Sequence, residues 1–140
     1  MAQTTAKQRP GANMRLIEAT QYRLPPAGWV SILHRVSGIL MFVLLPFIIW
    51  LLDKSLTSDI SYGEFTSAFV GGLWIFPAII VKLVVLALIW AYLHHFIAGL
   101  RHLWMDATHS VSKEFGRVSA LVTLALSIVL TLALGFKLFF

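Results

Sequence analysis

The side chains able to do chemistry in this 140-residue chain gather in one short run, HHFIAGLRHLWMD, at residues 94–106. The run closes a long apolar stretch, and ionisable groups inside a membrane span are costly, so each is a candidate for function. Helical spacing sorts the run into two neighbouring stripes. One stripe carries His95, Gly99, His102 and Asp106, and the other carries His94, Ala98, Arg101 and Met105.

His95 is the strongest candidate for a metal or haem ligand. It lies eleven residues, or roughly 16 Å of helix, from Asp106, so we expect it well inside the apolar layer. A neutral imidazole there suits haem iron, since a b-type haem needs an apolar pocket with cations near its propionates. A structural histidine or a proton-relay group explains the position equally well. Gly99 leaves space for a flat bulky group or for a neighbouring helix.

A second polar cluster, SILHRVSG, occupies residues 31–38. Ser31 and Arg35 stand one turn apart, and a hydroxyl beside a guanidinium can bind a carbonyl or stabilise a developing oxyanion. Alternatively, Arg35 snorkels to the headgroups and Ser31 bonds to its own helix backbone. His34 lies only about five residues, roughly 7 Å, inside Trp29, so we expect it much shallower than His95 and nearer a propionate edge than the iron.

The composition is that of an integral membrane protein. Hydrophobic residues make up 59% of the chain and charged residues 12%, against about a quarter charged in soluble domains, and the mean hydropathy is +0.84. No extramembrane stretch is long enough for a soluble domain. With zero cysteines, disulfides, iron–sulfur ligation and covalent c-type haem attachment are excluded. Four long stretches carry no charge: 36–52, 65–81, 83–100 and 118–136.

These stretches predict an all-α membrane protein with three transmembrane helices in an up-down-up arrangement. Pro25 and Pro26 precede the interfacial Trp29, and Pro77 suits the start of the second span. We expect a loop over 53–62 and a short interfacial or loosely helical lead-in from Glu64. The predicted segments are an N-terminal segment 1–28, helix 29–52, loop and lead-in 53–76, helix 77–105, loop 106–117 and helix 118–139.

The basic residues predict the orientation. Eight of the eleven lie on the side of the N-terminus and of the connection after the second span, so we expect that side to be cytoplasmic. Because the excess positive charge is juxtamembrane, it indicates topology and contact with lipid rather than nucleic-acid binding. The N-terminal segment lacks the features of a signal peptide, and it is more typical of a bacterial inner-membrane protein than of a mitochondrial precursor.

Three motifs resemble the cytochrome b556 subunit of succinate dehydrogenase, the larger membrane anchor of respiratory complex II. They are Lys7-Gln-Arg9-Pro10, the S-x2-H-R-x-S-G pattern at 31–38, and the H-x3-G-L-R-H-x3-D pattern at 95–106. The two membrane motifs in this order are specific, and the resemblance covers nearly the whole chain.

The resemblance implies a role for each residue that matches these motifs. His95, and not His94, matches the axial ligand of haem b. Ser31 and Arg35 match the serine and arginine of the ubiquinone site, and Asp106 matches an acidic residue close to it. His34, Arg35 and His102 match positions near the haem propionates.

The resemblance also implies partners and a function. A second small anchor subunit supplies the other haem ligand, and a flavoprotein and an iron–sulfur subunit dock on the cytoplasmic face. The complex is a succinate:quinone oxidoreductase of the tricarboxylic acid cycle, and this chain holds no catalytic residue of its own. Two alternatives are a fumarate reductase anchor and, from another class, a non-redox transport or assembly subunit of the membrane.

Overall fold

The computed structural model describes residues 24–110 and 112–140, and within these ranges it contains helices and no strand. The all-α architecture expected from the sequence is confirmed. The helices are α1 (Pro26–Val43), α2 (Leu45–Leu56), α3 (Asp59–Val70), α4 (Ala78–Thr108) and α5 (Lys113–Phe139). The Lys7-Gln-Arg9-Pro10 motif and most of the predicted segment 1–28 lie outside the described residues.

Three of these helices are long and apolar enough to cross a membrane: α1 with 18 residues, α4 with 31 and α5 with 27. At 1.5 Å per residue, even α1 is about 27 Å long, close to the thickness of a hydrocarbon core. The three predicted spans are thus present as helices. Their membrane boundaries and the cytoplasmic position of the N-terminus stay predictions.

The segment predicted as the first span contains a break at Leu44, where α1 ends and α2 begins. The cause is Pro46, which has no N–H to donate to the carbonyl of Phe42 and whose ring crowds that carbonyl. The chain turns only slightly out of helical geometry at Leu44, with φ −89° and ψ 5°. The two helices therefore follow one another without an intervening loop.

The expectation of a loop over 53–62 is wrong, because α2 runs to Leu56 and α3 starts at Asp59. Ser58 and Ser61 form a capping box in which each hydroxyl accepts from the other residue's backbone N–H, at 3.2 and 2.9 Å. Lys54 pairs with Glu64 and ties α2 to α3. The hydrogen bond to Glu64 raises the pKa of Lys54.

A tight turn separates α3 from α4. Leu73 and Phe76 exchange backbone hydrogen bonds of 2.9 Å in both directions. Gly72 has φ +95°, and a Cβ at that position would lie 2.9 Å from the backbone N of Ala78, so only glycine fits. Pro77 is the N-cap residue of α4, and His109 in the left-handed region ends this helix.

The three long helices pack on one another through small side chains. Val30 of α1, Ala98 of α4 and Ala120 of α5 are completely buried at the point where the helices meet. Small residues allow close backbone approach, which drives helix association in membranes. The face of α5 toward the other spans consists of Ala120, Thr123, Ser127, Thr131 and Gly135. Thr123 and Thr131 donate to carbonyls of their own helix, so their hydroxyls are satisfied.

We expect Ala120→Leu to destabilise the packed spans by about 1–3 kcal/mol, because the added side chain has no space at a fully buried helix contact. The matched control is Ala125→Leu on an exposed position of the same helix. Thermal unfolding of the detergent-solubilised protein measures the difference, and equal midpoints for the two variants would contradict this packing.

Candidate functional site

Three of the histidines singled out in the sequence come together where α1 crosses α4. The rings of His34 and His95 stack with their centroids 4.0 Å apart and their planes 15° apart. His102 approaches His34 edge-on, at 5.4 Å. We call His34, His95 and His102 the histidine cluster. In the chain, His95 and His102 follow His34 by 61 and 68 positions. His34 comes from α1, and the other two come from one stripe of α4.

The expectation that His34 lies much shallower than His95 is wrong. Their stacked rings are at the same level along the crossing helices. The expected depths are measured from two separate reference residues, Trp29 on α1 and Asp106 on α4, and the stacking of the two rings shows how these helices are offset along their axes. The two reference residues therefore do not mark the same height in the bundle.

The orientation of the His95 ring is set by the backbone of α1. Its Nδ1 lies 3.0 Å from the carbonyl oxygen of His34, and a carbonyl can only accept, so Nδ1 carries the proton. The hydroxyl of Ser37 donates to the same carbonyl at 2.8 Å and lies 3.2 Å from Nδ1. In a neutral ring, Nε2 then keeps a free lone pair. Metal-ligating histidines are usually held in this way, with the other ring nitrogen donating to a carbonyl or carboxylate.

A glycine on each helix makes space for the histidine of the other. A Cβ on Gly38 of α1 would lie 3.0 Å from Cε1 of His95, and a Cβ on Gly99 of α4 would lie 3.7 Å from Nε2 of His34. Of the two roles that the sequence leaves open for Gly99, the structure shows the approach of a neighbouring helix.

His94 lies on the other side of α4, fully buried against α5. Ser127 Oγ donates to the Leu124 carbonyl at 3.0 Å, so it accepts from Nδ1 of His94 at 3.2 Å. The ring also stacks on Trp90. Its Nε2 is buried and has no hydrogen-bond partner among the described residues. His94 is therefore enclosed between helices, whereas His95 is only partly buried, like the rest of the histidine cluster.

Arg101, on the same stripe as His94, is also directed to α5. Its Nε donates to Ser119 Oγ at 2.9 Å and one terminal nitrogen donates to the Gly116 carbonyl at 3.1 Å. The sequence separates the two stripes of α4 correctly. It does not single out Ser119 or Ser127 as partners, because nothing in the local pattern of α5 distinguishes a serine that bonds across helices from one that bonds within its own.

Three of the predicted site residues remain outside the histidine cluster. Arg35 and Asp106 are exposed and Ser31 is partly buried. Within the described part of the chain, none of these side chains hydrogen-bonds another residue, so Ser31 does not bond to its own helix. The hydroxyl of Ser31 and the guanidinium of Arg35 thus lie on successive turns of α1 without a partner in the described ranges.

The cluster does not have the geometry of a bare metal-ion site. Over residues 24–110 and 112–140, no group of three or more His, Asp or Glu side chains is placed to enclose an ion. What the crossing offers is one oriented imidazole nitrogen, flanked by two further imidazoles. That donor set suits a metal carried in a planar cofactor better than a free ion.

Comparison with known proteins identifies the family of the chain. The family model described as succinate dehydrogenase/fumarate reductase transmembrane subunit matches residues 6–134. Proteins named succinate dehydrogenase cytochrome b556 subunit are similar to this chain. That of Coxiella burnetii is 31% identical over 119 residues, 85% of this chain and 90% of the relative. That of Paracoccus denitrificans is 32% identical over 109 residues, 78% of each.

The fold and the family match define a multi-pass membrane subunit of a respiratory oxidoreductase complex. More particularly, the chain belongs to the succinate dehydrogenase/fumarate reductase transmembrane subunit family. The relatives of the same name include one from Rickettsia felis, 27% identical over 113 residues, 81% of this chain and 82% of the relative. The resemblance stated from the sequence motifs is confirmed.

The two glycines at the crossing should respond differently to an added methyl group. We expect Gly38→Ala to destabilise the protein by about 1–3 kcal/mol, because the His95 ring is held by its Nδ1 bond and cannot yield easily. Gly99→Ala makes an ordinary contact and gains helix propensity, so we expect no loss and up to about 1 kcal/mol of gain.

Thermal unfolding in detergent compares the two variants directly. Shifts of the same sign and size would contradict the asymmetry of the crossing.

Proposed function

We propose that this chain is the membrane anchor of a succinate dehydrogenase, in which it supplies one axial ligand of haem b and part of the site of ubiquinone reduction. The observation that carries the proposal is the His95 ring, whose Nδ1–H is bonded to the His34 carbonyl. Its Nε2 is thereby presented as a ligand atom at the open side of the α1–α4 crossing.

His95 fits the ligand role better than its neighbour. Both histidines bond through Nδ1, but Nε2 of His94 is buried within the packing of the described helices, where a bulky group has no access. In the relatives' name, cytochrome b556 denotes a b-type haem protein. Bound haem supplies one-electron redox chemistry, and His95 holds and orients it.

His34, His102 and Arg35 would hold the haem propionates. His34 and His102 contact each other beside His95, and Arg35 follows His34 in the chain. A guanidinium and imidazole N–H groups donate charge-assisted hydrogen bonds to carboxylates. In this arrangement the ring of His95 would ligate the haem, and His34 and His102 would compensate the negative charge of its propionates.

Ser31 and Arg35 would form this chain's part of the quinone site. The Ser31 hydroxyl can donate to a quinone oxygen, and the Arg35 guanidinium favours the negative charge that develops on that oxygen during reduction. Both side chains are free of hydrogen bonds to other described residues. Asp106, near the end of α4, is a weaker candidate for the quinone site, in which its exposed carboxylate can take part in proton delivery.

The remaining chemistry belongs to other subunits. A flavoprotein and an iron–sulfur subunit oxidise succinate and deliver electrons from the cytoplasmic side, and a second small anchor completes the haem ligation. This chain alone is not catalytic. Because its relatives are bacterial proteins, we place it in the bacterial inner membrane.

A second candidate function is that of a fumarate reductase anchor, because the family description covers both enzymes. Such an anchor passes electrons in the opposite direction, from a low-potential quinol. The quinone of the native membrane separates the two: ubiquinone supports succinate oxidation, and a low-potential quinone supports fumarate reduction.

The ligand assignment is tested with a matched pair of neighbouring variants. We expect His95→Leu to abolish or shift the b-type band in reduced-minus-oxidised spectra of the assembled complex. His94→Leu should leave that band in place, because His94 bonds to Ser127 on the other side of α4. Unchanged bands in His95→Leu, or loss only in His94→Leu, would overturn the assignment.

Arg35→Lys tests the quinone site. We expect quinone reduction to fall about tenfold or more, because an ammonium does not reproduce the planar fork of guanidinium donors. Succinate oxidation measured with a soluble artificial acceptor is the control and should keep its parental rate. Parental quinone kinetics would remove Arg35 from the mechanism.

A further inference from the structure

A largely apolar, open cavity that also carries cationic residues lies away from the histidine cluster, on the side of α4 that faces α5. It has a volume of about 480 Å³ and is lined by the start of α1, the end of α4 and the first turn of α5. Its lining combines apolar surface from Pro26 and Met105 with three cationic side chains, Arg101, Lys113 and Arg117. No residue of the lining is acidic.

The positive charge around this cavity is not neutralised by the described part of the chain. In residues 24–110 and 112–140, no carboxylate pairs with any of the three cations, and the one ion pair found joins Lys54 to Glu64. Like charges around a shared cavity repel one another. An anion from outside the chain would relieve that repulsion.

The orientation of the Arg101 guanidinium is already fixed in a way that favours binding of such an anion. Its two hydrogen bonds to α5 use two of its five N–H groups and fix the plane of the guanidinium. The other three N–H groups have no hydrogen-bond partner among the described residues. A positioned guanidinium binds phosphate oxygens in a bidentate manner with little further loss of side-chain freedom.

The first turn of α5 adds to the positive electrostatic potential of the cavity. Phe115 N–H donates to the Ser112 hydroxyl, and Gly116 N–H donates to the Ser112 carbonyl. The N–H groups of the two preceding residues of this 27-residue helix have no intrahelical partner. The positive end of the helix dipole therefore faces the region of the three cations, and Glu114 in the same turn, which does not line the cavity, offsets only one of the positive charges. Gly116 lines the cavity, and a Cβ there would have no neighbour within 4 Å.

We propose that this cavity binds the phosphate of an anionic phospholipid headgroup. The cavity lies where α4 ends and α5 begins, beside a connection that we expect outside the membrane, so we expect it to open at the level of the lipid phosphates. The apolar part of the lining suits the glycerol and upper acyl chain, and the excess of three cations over one phosphate disfavours a headgroup with its own positive charge. This inference is independent of the haem and quinone proposals.

The test measures lipid binding to the purified, delipidated complex by native mass spectrometry and by the rise in thermal midpoint on adding lipid. The probes are phosphatidylglycerol, phosphatidylcholine and inorganic phosphate. Arg101 also joins α4 to α5, so the charge variant is Lys113→Gln with Arg117→Gln, both exposed. Gly116→Leu fills the cavity without changing charge, and Lys137→Gln at the far end of α5 is the control.

We expect the parent and Lys137→Gln to prefer phosphatidylglycerol over phosphatidylcholine. The double charge variant should lose affinity for phosphatidylglycerol about 10- to 30-fold, and Gly116→Leu should lose it by steric exclusion. The haem spectrum, recorded on the same samples, should remain parental in every variant, which separates this test from that of the proposed function.

Three results would overturn the proposal. Equal phosphatidylglycerol binding by the parent and both cavity variants would place the lipid elsewhere. Stabilisation by inorganic phosphate alone, equal to that by the lipid, would make the occupant a soluble anion. Loss of another subunit from the double charge variant, without loss of lipid, would assign the cavity to an acidic segment of that subunit.

Discussion

The hydrogen bond from Nδ1 of His95 to the His34 carbonyl is the interaction on which the site depends. In an apolar layer an imidazole N–H must find a partner, and here the partner is the backbone of another helix. One bond thereby does two things. It sets the register of α4 against α1, and it decides which nitrogen of His95 remains free to ligate.

That bond is possible because the two helices approach closely. Gly38 and Gly99 each face the histidine of the opposite helix. At the contact shared by all three long helices, the buried side chains are small: Val30, Ala98 and Ala120. On the opposite side, the bond from His94 to Ser127 holds α4 to α5. The adjacent histidines His94 and His95 therefore bond α4 to α5 and to α1, respectively. Of the two, only His95 is partly exposed and can bind a cofactor.

Much of this follows from the sequence. Charge-free stretches predict the three spans, and helical spacing separates the His95 stripe from the His94 stripe, which the structure directs to α1 and α5 respectively. The relative depth of His34 does not follow, because it depends on how far each helix extends beyond the membrane core. The sequence does not predict the helix over much of 53–62, because Ser61 stands at the capping-box position where glutamate is usual. The bond between His94 and Ser127 joins residues 33 positions apart, and no local pattern reports it.

The most direct test of the central claim is chemical rescue at His95. The assembled complex carrying His95→Ala is examined by reduced-minus-oxidised spectroscopy before and after addition of imidazole. We expect the b-type band to be absent or altered at first and to return with imidazole, because the free molecule replaces the missing ligand nitrogen. A parental band in His95→Ala without imidazole would contradict ligation by His95.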